Sequence, residues 1–325
     1  MMKTFAMSVL LGIFFVTQAA YADSKDGDRD NAIRGQLFFT NIFLPTFQDG
    51  FIECLNTDGS KLKSLVSTGD GARGIAFDPA KGKIYWSNIN RHVISKASLD
   101  GTNQEDIVTA NLSGPFSLDI DVKRKKIYWV DVDLFKIGRA NLDGTNQTVL
   151  IHSTCFSSVG HQCFYNGGLA VDSVNKKLYW TTVYCSDNSC STVLGDILRS
   201  DLEGSGIETV VDGVGSPFWI QVDPIGKKIY WTDIVNNVVR RSNLDGTRID
   251  DLFVVGKKNN PNSLALDLKN GYIYWDQDGD VPNRSCIKRM DLNGNHPKDI
   301  KCGFGILVDI EFVSLPLQHA KCDVG

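Results

Sequence analysis

The sequence predicts an all-β fold: a six-bladed β-propeller with four-stranded blades, closed by a C-terminal strand that joins the N-terminal blade. Three observations predict it. An aromatic phrase recurs six times, as Phe38-Phe39-Thr40, Tyr85-Trp86-Ser87-Asn88, Tyr128-Trp129-Val130-Asp131, Tyr179-Trp180-Thr181-Thr182, Tyr230-Trp231-Thr232-Asp233 and Tyr274-Trp275-Asp276-Gln277. A period of roughly 40–50 residues marks a repeat architecture. Each period holds four strand-like runs separated by turn chemistry, with no competing helical periodicity. The two ends of the array are also complementary. The first copy starts at Leu37-Phe38-Phe39 with no first strand of its own, whereas Gly305-Ile306-Leu307-Val308-Asp309-Ile310-Glu311-Phe312 has that strand's pattern and nothing after it.

Residues 217–255 show the unit. Trp219-Ile220-Gln221-Val222-Asp223 is a short apolar strand, and Pro224 and Gly226 punctuate the turn after it. Ile229-Tyr230-Trp231-Thr232 is rich in aromatic and β-branched residues, as strands are. Residues 238–244 alternate and end in Asp245-Gly246, a strong hairpin signal, and residues 249–255 give the fourth strand. The first strand recurs at residues 74–77, 117–120, 168–171 and 263–266. The hairpin recurs as Asp58-Gly59, Asp100-Gly101, Asp143-Gly144, Glu203-Gly204 and Asn293-Gly294. One such sheet cannot bury both faces alone, so twisted copies must stack radially, and closing the ring removes the open ends. The Tyr and Trp rings are the expected inter-blade packing, each burying about 150–250 Å².

Residues 1–22 read as a secretory signal peptide: Lys3, an apolar run over residues 5–16, and the small-x-small site Ala20-Tyr21-Ala22. That run is too short to span a bilayer, and no later stretch reaches the roughly 18 apolar residues a membrane helix needs. Residues 23–33 are a polar, flexible leader, residues 34–315 the propeller and residues 316–325 a C-terminal tail. A secreted, extracellular, soluble monomer is expected. The net charge of −4 and pI of about 5.7 weigh against a nucleic-acid partner. Eight cysteines in an exported chain point to disulfides, and none has the spacing of a zinc site. Asn111, Asn146 and Asn283 open N-x-S/T sequons and are candidate glycosylation sites.

The repeated phrase, over residues 34–315, resembles the YWTD, or class B, repeats of the low-density lipoprotein receptor family, also found in nidogen. The resemblance implies a six-bladed propeller that binds extracellular proteins. It also implies that the fourth-position Asp, kept at Asp131 and Asp233, ties neighbouring blades by hydrogen bonds. Asn41, Asn88, Thr182 and Gln277 stand in that position elsewhere, which makes blade four the one expected to differ. The cysteine-rich modules that usually flank such receptor propellers are not seen in this sequence.

Alternating strand directions put the blade-to-blade crossovers and the second loop of each blade on one face, here called the top. The longest insertions, residues 151–166 and 183–193, belong to blade four and lie there. Cys155–Cys163 and Cys185–Cys190 are the favoured pairings, with cross-pairing inside that set left open. Cys286 and Cys302, read as top-loop residues of blade six and the closure point, are expected to pair, and Cys54–Cys322 would clamp the tail to blade one. Residues preceding each first strand should ring the channel mouth: Arg73, Phe116, Tyr165, Phe218, Trp219, Asn262 and Phe304. Aromatic and Arg side chains are the material of binding hot spots. A ring of turn lysines on the opposite face is interspersed with hairpin acids and reads as a solvated rim. A propeller hydrolase would need several acidic or amide ligands converging at the inner strand starts. These starts offer mostly Gly, Pro, Phe and Trp, so no enzyme, catalytic residue, metal or cofactor is expected. The sequence therefore reads as a binding module recognising an extracellular protein or peptide segment through its top face. An extracellular-matrix organiser is the alternative, and a metal-dependent hydrolase or lactonase the least favoured.

Overall fold

Short β-rich runs broken by Asp-Gly pairs and by turns that carry Pro, Gly and Lys leave the chain few options but antiparallel strands. The computed structural model describes residues 35–42, 50–69, 71–152, 163–185, 192–256, 259–278, 284–314 and 322. Blade one contains β1 (Gly35–Ile42), β2 (Gly50–Asn56) and β3 (Lys63–Ser67). Blade two follows with β4 (Ala72–Asp78), β5 (Lys83–Asn88), β6 (Val93–Ser98) and β7 (Glu105–Val108). Blade three is β8 (Pro115–Asp121), β9 (Lys126–Asp131), β10 (Lys136–Asn141) and β11 (Thr148–Ile151). Blade four is β12 (Cys163–Asp172), β13 (Lys177–Cys185), β14 (Val193–Asp201) and β15 (Glu208–Val214). Blade five is β16 (Pro217–Asp223), β17 (Lys228–Asp233), β18 (Val238–Asn243) and β19 (Asp250–Val254). Blade six is β20 (Pro261–Asp267), β21 (Tyr272–Gln277), β22 (Ser285–Asp291) and β23 (Lys298–Phe304). The last strand, β24 (Ile306–Ser314), then returns to blade one and becomes its innermost member. It pairs antiparallel with β1 from Gly35↔Ser314 to Ile42↔Ile306, so the ring closes as the sequence predicted. All of this lies in the unit Arg34–Gly325, and residues Met1–Ile33 lie outside the described residues.

The core sits between blades rather than within them. Tyr85, Ile94 and Val108 of blade two share a cluster with Leu118 and Trp129 of blade three. At the seam, Tyr274, Ile287 and Phe304 of blade six pack with Leu37, Phe39 and Ile310 of blade one. Trp129, Trp180, Trp231 and Trp275 are among the largest fully buried side chains. Burying one side chain of Phe size stabilises by roughly 1.5–3 kcal/mol, so each blade interface holds several times that.

Polar groups of the repeated phrase add a second tie, and they divide the labour differently from the expectation. The third-position residue crosses to the next blade: Ser87 Oγ donates to the Phe116 carbonyl at 2.5 Å, Thr181 Oγ1 to Phe218 at 3.0 Å, and Thr232 Oγ1 to Asn262 at 2.9 Å. The fourth-position Asp instead fixes the incoming crossover. Asp131 accepts from the backbone N–H of Ser113 and Gly114, and Asp233 from that of Ser216. At the outer edge, each Asp-Gly-type hairpin docks on the preceding blade. Gly144 has φ +84°, and a Cβ there would lie 1.9 Å from the Ile107 carbonyl oxygen.

Candidate functional site

Every inner strand carries an extra residue against its partner in the same place, and β12 carries a second one between Cys163 and Tyr165. The register of β4 on β5 jumps from Ala72↔Asn88 to Ile75↔Trp86, and β8, β12, β16 and β20 repeat the jump. The closing strand does so too, between Leu307 and Ile310. A bulge of this kind re-aims a side chain. Here the re-aimed position is Arg73, Phe116, Gly167, Phe218, Asn262 and Val308.

Arg73, Phe116, Phe218, Asn262 and Val308 line one cavity of about 250 Å³ at the channel mouth. Ile42, Ile306 and Leu307 complete its apolar wall, and Asp278 adds a carboxylate. Phe116 and Phe218 meet edge to face with centroids 5.8 Å apart. Asn262 Nδ2 donates to Asp278 Oδ1 at 2.8 Å, and burial raises the Asp278 carboxyl above the usual carboxylate range. Arg73 Nη1 donates to the carbonyl of Ala72 at 3.0 Å. The mouth is thus an apolar cup with a cation and an acid on its rim.

Two residues placed on that rim by sequence lie elsewhere. Trp219 follows the bulge and is 2 % exposed, behind Phe116 and Phe218 at 6.1 Å from each ring. Phe304 ends β23, is 2 % exposed and packs edge to face on Phe39 at 4.9 Å. The side chain of Tyr165 lies outside the described residues. Sequence reasoning missed Ile42, Asp278 and the start of β24 as mouth residues. Their only signal was position at strand ends.

A second layer lies deeper in the channel, at the residues paired with the first aromatic of each motif. Around the ring it reads Glu311, Ala76, Asp119, Ala170, Gln221 and Ala265, polar and small in strict alternation. Gln221 Nε2 donates to Glu311 Oε1 at 2.7 Å, although their strands belong to blades five and one. Asp119 accepts backbone N–H groups from Val171 at 2.7 Å and from Ile120 at 2.6 Å. Burial pushes Asp119 up to about 6, and burial with the Asp119 charge lifts Glu311 well above the carboxylate range. Among the described residues no group of three or more His, Cys, Asp or Glu is arranged to hold a metal ion.

Cys54 and Cys322 are joined, tethering the tail to β2, with Cα atoms 6.0 Å apart. Cys286 and Cys302 are also joined, but as directly opposed residues of β22 and β23 rather than in loops. Cys185 is disulfide-bonded. Cys155, Cys190 and Asn283, and the side chain of Cys163, lie outside the described residues. Asn111 and Asn146 are exposed.

Parts of the chain are similar in sequence to known proteins, and the fold to solved structures. Residues 82–122 and 227–268 match the low-density lipoprotein receptor repeat class B model. Low-density lipoprotein receptor-related protein 5 of Mus musculus is 40% identical over 73 residues, 22% of this chain and 4% of that protein. Protein cueball of Drosophila grimshawi is 26% identical over 237 residues, 71% of this chain and 30% of that protein. The chain thus spans less than half the length of these relatives. Among solved structures, a chain of a nidogen/laminin complex superposes with a TM-score of 0.70 at 21% identity, covering 87% of this chain and all of that one. TolB from Acinetobacter baumannii gives 0.67 at 14% identity, covering 86% of this chain and 66% of that one. At these identities the structural likeness speaks for the fold alone.

Proposed function

We propose that this chain, a YWTD propeller with low-density lipoprotein receptor class B repeats, is an extracellular, non-catalytic protein-binding module whose partner docks at the top-face mouth. The observation that carries the reading is the cup itself: an aromatic pair and aliphatic wall, flanked by Arg73 and Asp278. A central aromatic anchor inside a polar rim is the anatomy of a protein interface. The disulfides fit an oxidising compartment. The decisive experiment is affinity capture from extracellular fluid with cross-linking. Cross-links to the crossovers around Arg73, Phe116 and Asn262 support the reading. Cross-links confined to the hairpin face sink it. The matrix-organiser reading rests on one observation, the superposition on a chain from a nidogen/laminin complex. It differs in partner and not in docking face.

A further inference from the structure

The outermost strand of a blade is a sheet edge, and an edge without charge invites pairing with another chain. Five of the six described outer strands carry charge: β3 begins with Lys63, β7 with Glu105, β15 with Glu208, β19 with Asp250 and β23 with Lys298. The exception is β11, whose sequence is Thr148-Val149-Leu150-Ile151. The difference is positional. Glu105, Glu208 and Asp250 each bridge to the basic residue opposite on the third strand, at 3.0, 2.7 and 3.0 Å. Thr148 occupies the same place opposite Arg139. Arg139 therefore turns to Glu203 of the next blade, at 2.8 Å. Thr148 is exposed, and Val149 beside it is 37% exposed.

Thr148 is also the hydroxyl residue of the sequon Asn146-Gln147-Thr148. Asn146 projects from the hairpin immediately before β11, in a left-handed conformation with φ 54°. The sequon Asn111-Leu112-Ser113 reaches the same place from blade two. Asn111 (φ 58°) lines one groove with Gly138, Thr148 and Val149, where Lys136 Nζ donates to its carbonyl at 2.6 Å. Gln147 bridges the two loops through Nε2 to the Ala110 carbonyl at 2.7 Å. We propose that Asn111 and Asn146 are modified by N-linked glycans that cover the uncharged outer edge of blade three, replacing the charges that guard the other edges. A glycan is bulky, solvated and suited to a surface loop of an exported chain. The inference rests on the extracellular reading above.

The test uses the full chain expressed in a secretory eukaryotic cell, with intact mass and peptide mapping before and after peptide:N-glycosidase treatment. Secreted protein should lose glycan mass at Asn111 and Asn146. Thr148→Ala and Thr148→Glu both destroy the Asn146 sequon, but only the second restores an edge charge. Each should lose one glycan's mass. The alanine variant should self-associate on light scattering at concentrations where the parent is monomeric, and the glutamate variant should stay monomeric. Thermal midpoints of the two establish that both are folded. Ser113→Ala should remove the Asn111 glycan alone. Secreted protein unmodified at these positions overturns the proposal and leaves the extracellular reading standing. Retention of unprocessed chain in the cytosol overturns both. An alanine variant as monomeric as the parent, or a glutamate variant that associates as the alanine one does, overturns the shielding role.

Discussion

Phe116 and Phe218 touch across the channel, centroids 5.8 Å apart, although a whole blade separates their strands. Gly167 makes this contact available. It holds the equivalent position in blade four, where a Cβ would lie 2.3 Å from the Phe218 carbonyl oxygen. The aromatic pair is therefore a product of three blades, and its half-exposed rings face the mouth.

Replacing Phe218 by Ala should separate binding from stability. Loss of a central anchor costs about 2 kcal/mol or more of affinity, roughly 30-fold in Kd. The aromatic pair itself contributes only about 0.5–1.5 kcal/mol to folding. Trp219→Ala should do the reverse, because its ring is 2 % exposed: a loss of about 3–5 kcal/mol in stability from the cavity left behind. Titration of the captured partner alongside urea denaturation measures both. Unchanged affinity in folded Phe218→Ala removes the mouth from the binding account.

The hairpin glycines should be graded by what faces them. Gly144 needs φ +84° and meets the Ile107 carbonyl at 1.9 Å, while Gly206 has φ +63° with nothing within 4 Å. Gly206→Ala should cost only the left-handed backbone term, about 1 kcal/mol. Gly144→Ala adds an unavoidable clash with backbone and should cost about 2–4 kcal/mol in total. Denaturation midpoints compare them, and equal losses would show that the hairpins do not dock as described.

Cys54→Ser with Cys322→Ser should lower stability by about 5.5 kcal/mol on the chain-entropy account, since the bond closes 268 residues of chain. Removing Cys286–Cys302, which spans 16 residues, should cost about 3 kcal/mol on the same account. Calorimetry of the two double variants checks the order.

Stability should rise as pH falls from 7.5 to 5. Burial pushes Asp119 up to about 6 and Asp276 up to about 7, and raises Asp309 and Glu311 as well. An acid with its folded pKa above its unfolded one binds its proton more tightly when folded, so stability falls as pH climbs from about 4 through the folded value. Asp143, Asp201, Asp245, Glu208 and Asp291 are shifted downwards, so what they contribute is lost only below pH about 4, outside this window. Glu311→Gln keeps a partner for Gln221 and should flatten the trend. Urea midpoints at the two pH values read it, and a parent protein more stable at pH 7.5 refutes the sign.

The blade plan was legible because its signals are local: the aromatic phrase, the turn residues and alternation over a few positions. Closure was legible because Gly305 to Phe312 repeats a pattern missing at the start. The mouth was legible only in part. An inserted residue at the same place in each inner strand breaks strict alternation, so Phe218 faces the channel while Trp219 beside it turns into the wall. Spacing gives no warning of that. Contacts between distant residues were silent as well. Arg139 Nη1 reaches the Leu202 carbonyl at 3.1 Å, Arg199 that of Leu244 at 2.8 Å and Arg241 that of Leu292 at 2.8 Å, each crossing to the next blade's hairpin. Three arginines on third strands carry no hint of this in sequence, where they look like ordinary exposed strand residues.

The strand partnership between Gly35–Ile42 and Ile306–Ser314 sets a timetable for biosynthesis. At ~5–20 residues per second, the ribosome needs roughly 15–50 s to travel from one partner to the other. Through that interval the earliest strand waits with a bare flank, and none of the intervening five sheets can substitute for its mate. Sheltering that flank is a task for chaperones, and a stall in translation before residue 306 leaves a nascent chain with an adhesive edge.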